Sequence, residues 1–153
     1  MDREALKNKL IEVFPNASFS ENKQFIILTT TSDKITEVVE TLKNNIDFRF
    51  DYMFCITGED WLNYFIITYH LRSTHLGHEL VLKAKIENRE KPEIETLSHL
   101  YSTAELNERE IFEMYGIHFL HHPDLRKLLL PDEWEGFPMR KDYYDPIHIV
   151  ELE

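Results

Sequence analysis

Apolar residues in the first third of the chain recur at helical spacing. Leu6, Leu10, Val13 and Phe14 share one side behind Asp2, which can cap a first turn, so residues 2–14 are predicted as an amphipathic helix broken by Pro15 and Asn16. Gln24 to Thr30 reads as a short apolar strand. Ser32 or Asp33 then caps a second helix whose Ile35, Val38, Val39, Leu42 and Ile46 form one stripe. Helices with single apolar faces need a sheet to lie on.

The next segment supplies it. Phe48, Phe50, Tyr52, Phe54 and Ile56 alternate with Arg49, Asp51, Met53 and Cys55, the period-two pattern of a half-buried strand. Leu62 to Leu71 is apolar on both faces, as a central strand is, and Leu80, Leu82, Ala84 and Ile86 alternate with Val81, Lys83 and Lys85. Short loops at Thr57 to Trp61 and Arg72 to Gly77 make an antiparallel meander the economical connection. The expected fold class is α+β, a mainly antiparallel sheet with helices packed on it.

After Pro92 the pattern turns helical again. Ser102 and Glu105 form a capping box ahead of a helix ending at Gly116. Ala104, Ile111, Phe112, Met114 and Tyr115 share one arc, and Glu108 falls inside it. A carboxylate on an apolar face needs a cationic partner or several donors, and an arginine brought back from downstream, Arg126 or Arg140, is the expected one. Glu105 and Arg109, four residues apart, read as an ordinary surface pair.

Beyond Gly116 the periodicity stops. Pro123, Pro131, Pro138 and Pro146, four of the six prolines, preclude a long helix or central strand there. Yet Leu128, Leu129, Leu130, Trp134, Phe137, Tyr143 and Tyr144 make the segment too apolar for a disordered tail. The organisation expected is an α+β domain over residues 1–117 and an extended proline-containing C-terminal arm over 118–153. The first half of the arm is expected on its own domain and the rest on a partner.

Composition narrows the function classes. A formal net charge of -11 argues against a phosphate-binding surface, so no nucleic acid is expected. The longest apolar stretches, such as Phe25 to Leu28 and Tyr64 to Tyr69, fall far below the roughly 18 residues a membrane span needs. Met1, Asp2, Arg3 and Glu4 open the sequence without an apolar signal core, which places this form of the chain in the cytoplasm or an equivalent compartment. The lone Cys55 excludes a cluster or zinc site built from several thiolates of this chain. Four glycines, Gly58, Gly77, Gly116 and Gly136, cannot supply a G-x-G-x-x-G dinucleotide turn.

The candidate chemistry has competing readings. His118, His121 and His122 beside Asp124 invite a metal site. Pro123 interrupts them and no helical E-x-x-H spacing occurs, so loop histidines making hydrogen bonds is the preferred reading. Glu108, Arg109 and Glu110 could serve as acid and base of a hydrolase, but no nucleophile or oxyanion turn accompanies them, and structural ion pairing explains the same residues. Asp124 with Arg126, and Arg140 with Lys141 and Asp142, read as salt bridges between arm and domain or between chains. No catalytic, cofactor-binding or metal-binding residue is expected.

The densest block runs ERE-IFEMYGIHFLHHPDLRKLLLPDEWEGFPMRKDYY from Glu108 to Tyr144. It resembles the signature of the 30 kDa subunit family of NADH:quinone oxidoreductase, respiratory complex I: E-R-E, an aromatic, G-I-x-F, H-P-D-L-R, then G-x-P-L-R-K-D-[FY]. The resemblance covers a continuous quarter of the chain in several rigidly spaced blocks. Phe137 stands where the family usually has His, Met139 where it has Leu, and Glu113 where it has Asp.

The resemblance implies a non-catalytic structural and docking subunit in the hydrophilic arm of the complex. There it would sit against the large quinone-site subunit and neighbouring hydrophilic-arm subunits. FMN, iron-sulfur clusters and quinone belong to the parent complex and none is expected on this chain. The implied location is the cytoplasmic face of the cell membrane, reached only through the complex. Glu108, Arg109, Glu110, His122, Asp124, Arg126, Arg140, Lys141 and Asp142 are the residues expected in partner binding or structural ion pairs. An equivalent subunit of a related membrane-bound hydrogenase or other-donor dehydrogenase is the alternative, and a stand-alone small enzyme or metal protein the remaining one.

Overall fold

The computed structural model of the chain describes residues 2–145. Pro146, counted above in the proline spacing of the arm, lies outside them. The first helix, α1 (Arg3–Val13), starts as expected: Asp2 caps it by accepting from the Ala5 N–H at 2.8 Å. Leu6 and Leu10 are buried, whereas Val13 faces solvent. Two strands follow, β1 (Ser18–Glu21) and β2 (Ile26–Thr31), joined by a turn in which Asn22 Oδ1 accepts from the N–H groups of Gln24 and Phe25. Strand β1 has no counterpart in the sequence pattern. It lies at a sheet edge with one sizeable apolar residue, Phe19, so it has no alternation to detect.

A single 3-10 turn (Ser32–Lys34) leads into α2 (Ile35–Asn44), with Ile35, Val38, Val39 and Leu42 buried. Ile46 does not continue the stripe. The helix stops at Asn45 and Ile46 is 79% exposed, because helical periodicity ends with the helix. Neither Ser32 nor Asp33 caps α2.

The meander forms from β3 (Tyr52–Asp60), β4 (Phe65–Arg72) and β5 (Glu79–Ile86), paired antiparallel. Strand β2 adds to β5 in parallel, giving the order β1-β2-β5-β4-β3. The fold is α+β, as expected. The alternation expected from Phe48 to Ile56 is broken, however. Phe48 and Phe50 are buried ahead of the strand, then Met53 and Ile56 point inward while Tyr52 and Phe54 are exposed. The phase slips twice: once between Phe50 and Met53, just after Arg49 at φ 46°, and again at a bulge between Met53 and Cys55, which inserts one residue and returns Ile56 to the inward face. Thr57 to Asp60, expected as loop, belong to β3, and the turn sits at 61–64, where the Trp61 N–H donates to the Tyr64 carbonyl.

After Pro92 a short strand, β6 (Glu93–Glu95), precedes the helix. It pairs in parallel with β7 (His118–Leu120), so residues assigned to the arm complete a second small sheet, and Phe119 is buried in the core. Between them runs α3 (Ser102–Tyr115), capped backbone-only at Tyr101 rather than by a Ser102 box. Tyr101 is held there because its hydroxyl donates to the Phe50 carbonyl at 2.5 Å. Gly116 ends α3 in the left-handed region at φ 72°. One core cluster joins Leu6 and Leu10, the α2 stripe, one face of the sheet and Ile111 and Tyr115 of α3. Among the described residues no helix is long and apolar enough to cross a membrane.

Candidate functional site

Helix α3 buries three charged residues, Glu108, Arg109 and Glu113. Arg109 and Glu113 stand one turn apart, and both reach the arm. The Arg109 guanidinium donates to the carbonyls of Arg126 and Lys127, each at 3.0 Å, and lies 3.6 Å from Asp124. It is therefore not the surface partner of Glu105 that helical spacing suggested. Glu113 accepts three successive backbone N–H groups, Leu128, Leu129 and Leu130, at 2.9 to 3.1 Å. The arm then folds over Lys127, whose ammonium donates to the carbonyls of Pro131, Asp132 and Trp134. An arm without helix or sheet leaves its backbone groups unpaired, and charged side chains supply strong hydrogen bonds in their place.

A second anchor lies at the tip of the β3–β4 hairpin. The Asp60 side chain is 1% exposed and takes a bidentate pair from Arg89 at 2.5 and 3.0 Å, together with the N–H groups of Leu62 and Lys141. Burial pushes the Asp60 carboxyl up, but Arg89 and the two N–H groups outweigh it and hold the pKa at about 2. Arg89 also bridges to Asp142 at 3.0 Å. Arg140 donates to the Tyr115 carbonyl at 2.6 Å, and its guanidinium lies over the rings of Phe65 and Phe137. The Met139 N–H donates to the Met114 carbonyl, and Phe137 fills the space where a Cβ on Gly116 would stand.

Glu108 is fully buried, but no arginine reaches it. Its carboxylate accepts from Thr96 Oγ1 at 2.5 Å and from the Leu97 N–H at 2.8 Å, with His122 Nε2 at 3.8 Å. Arg126 instead pairs with Asp124 at 2.9 Å, largely in solvent, and Arg140 is engaged as described. The loop after β6 carries neutral donors, which satisfy the carboxylate without a second charge. Burial dominates and lifts its pKa to about 7. His122 is held by both ring nitrogens: Nδ1 accepts from the Asp124 N–H, so Nε2 carries the proton toward the Glu105 carbonyl at 2.9 Å.

Of the residues singled out in the sequence, Arg109, Asp124 and Arg126 meet at the start of the arm, and Arg140, Lys141 and Asp142 meet at the hairpin tip. Glu110 is exposed beside the β3 edge and joins neither group. Asp60, Arg89 and Glu113 were missed. The first two sit far from the dense block in sequence, while Glu113 lies within it and drew notice only as a substitution. Among the described residues no three His, Cys, Asp or Glu side chains are placed to hold a metal ion.

With its backbone turned inward, the arm directs apolar side chains outward. Leu129 is 65%, Met139 55% and Tyr144 71% exposed. Residues 28–146 match the family model of the respiratory-chain NADH dehydrogenase 30 Kd subunit. The chain belongs to that family. Among its relatives, the C/D subunit of NADH-quinone oxidoreductase from Phocaeicola vulgatus is 40% identical over 114 residues, which cover 74% of this chain and 22% of that protein. The C subunit from Roseiflexus castenholzii is 31% identical over 147 residues, 93% of this chain and 84% of that one. The chain thus spans less than a quarter of the C/D relatives and most of this C-type relative. A chain of the archaeal membrane-bound sulfane sulfur reductase, a respiratory membrane complex, superposes with a TM-score of 0.79 at 25% identity, covering 94% of this chain and 86% of that one. The 30 Kd subunit fold therefore accompanies more than one named reductase.

Proposed function

We propose that this member of the 30 Kd subunit family is a non-catalytic docking subunit of an NADH:quinone oxidoreductase complex, seated by its C-terminal arm against the large quinone-site subunit. The observation that carries the reading is the polarity of the arm. Arg109, Glu113 and Asp60 hold its backbone, so Leu128, Leu129, Met139 and Tyr144 are presented to solvent, an arrangement suited to burial against a second protein. Relatives in which the C and D portions are one protein support the D-type subunit, the large quinone-site one, as the neighbour. The location would be peripheral, on the cytoplasmic face of the membrane. FMN, iron-sulfur clusters and quinone would reside on other subunits; stoichiometric flavin or iron in this chain purified anaerobically would overturn that part.

The test is co-purification with the large quinone-site subunit. Leu129→Asp with Met139→Asp should abolish it while the melting temperature stays within a few degrees of wild type. Retained co-purification would move the interface elsewhere. The sulfane sulfur reductase likeness favours a second reading, the equivalent subunit of a related respiratory complex with another electron donor. The redox activity of the complex that co-purifies with the chain separates the two.

A further inference from the structure

We propose that residues 131–145 of the arm form a receptor for a basic segment of the partner, with an arginine or lysine head seated in an aromatic and acidic cleft. This rests on the docking reading above and specifies the chemistry of the partner. The cleft has a volume of about 890 Å³, and Trp134, Phe137, Tyr143 and Tyr144 line it. The acidic lining comprises Glu133, Glu135, Asp142 and Asp145, four carboxylates facing one cation, Arg140. That guanidinium is already committed to the Tyr115 carbonyl and to the rings of Phe65 and Phe137. Asp142 is engaged by Arg89, while Glu133 and Glu135 are exposed.

Charge complementarity selects the occupant. A purely apolar segment would strip water from carboxylates and return nothing, and an acidic one would meet both the acidic lining and a chain of net charge -11. A cationic head gains twice, from the ring faces and from the carboxylates. The cleft is also formed in advance. Lys127 ties the carbonyls of Pro131, Asp132 and Trp134 into one turn, and Gly136 at φ 81° lets the chain reverse so that the Tyr143 ring lies 2.8 Å from where a Cβ would stand. Little ordering is left to be done on binding.

The experiment uses the full chain carrying Trp61→Phe, so that Trp134 reports alone, titrated with an acetylated octapeptide of alternating arginine and alanine. Saturable change in Trp134 emission is expected, weakened about tenfold or more by Glu133→Gln with Glu135→Gln and by Tyr144→Ala, since paired surface carboxylates and a ring face each contribute modestly. Glu37→Gln with Glu40→Gln, an equal charge change on α2, should leave the affinity within about twofold. Equal weakening by both double variants would mean a diffuse charge effect and overturn the proposal. So would equal binding of the glutamate-alanine octapeptide, or binding that emerges only when residues 146–153 are deleted. Co-purification keeps the two ideas apart. If Leu129→Asp with Met139→Asp abolishes capture of the large quinone-site subunit but Glu133→Gln with Glu135→Gln does not reduce it, the docking reading stands and the basic-segment receptor falls.

Discussion

Burying Glu108 beside Thr96, Leu97 and His122 costs more when it is charged than when it is neutral, which is why its pKa rises to about 7 from 4.5. A raised carboxyl binds its proton more tightly in the folded than in the unfolded chain. Its contribution is therefore most favourable below about pH 4.5 and declines as pH rises through about 7, by an amount on the order of 3 kcal/mol when fully lost. Glu108→Gln keeps the shape and removes the titration, so the variant should match wild type near pH 4.5 and melt higher than wild type at pH 8. Equal pH profiles would show that Glu108 does not titrate in this range. One turn further along α3, Glu113 is held by three backbone donors. Glu113→Ala leaves those donors without their acceptor and should cost about 2 to 3 kcal/mol. Hydrogen exchange should accelerate at the amides of Leu128, Leu129 and Leu130 ahead of those in β4 and β5. Slow exchange at those three amides in the variant would argue against the clamp. The sequence made Glu108 conspicuous because it interrupts an apolar arc, whereas its partners come from a loop 11 and 12 residues earlier that no local spacing foretells.

At the scale of elements, α3 serves two faces at once: Ala104, Ile111 and Tyr115 enter the core, and Arg109 with Glu113 hold the arm. Its C-terminus decides where the arm returns. Gly116 sits at φ 72°, and a Cβ there would lie 2.6 Å from the Phe137 ring. Gly116→Ala combines left-handed strain of about 1 kcal/mol with displacement of Phe137, and a total loss of about 2 to 4 kcal/mol is expected in urea denaturation. A loss under about 1 kcal/mol would mean that Phe137 moves aside freely. Helices α1, α2 and α3 and strand β5 were legible by their period, and β2 and β4 as apolar runs. Strand β3 was legible as a strand but not in its facing from Tyr52 to Phe54, since the phase slips after Phe50 and a single-residue bulge restores it at Ile56, and neither slip changes composition. Strands β6 and β7, three residues each, are too short to carry a period and exist through their pairing.

At the scale of the whole molecule, the buried apolar core among the described residues is complete by Phe119, and the described residues beyond it add polar anchors, the partly buried Leu125 and the Phe137 ring against Gly116. Truncation after Lys127 should therefore leave a cooperative melt and the circular dichroism of an α+β domain. The melting temperature should fall, because Glu113 and Asp60 lose their backbone donors. Loss of the cooperative transition would place the arm within the core. Amino-acid order alone determined the α+β class, the main helices, the meander and the family, because amphipathic periods are local and the dense block from Glu108 to Tyr144 keeps its spacing. It also marked that block as the place where charges matter. Only the tertiary structure decided which charges meet. Asp60 and Arg89 join Lys141 and Asp142 across 81 and 53 residues, and the arginine expected at Glu108 is spent elsewhere. The reason is physical: an ion pair or a carboxylate taking backbone N–H groups depends on distance in space, and for an arm without periodicity that distance is set by the surface it folds back on.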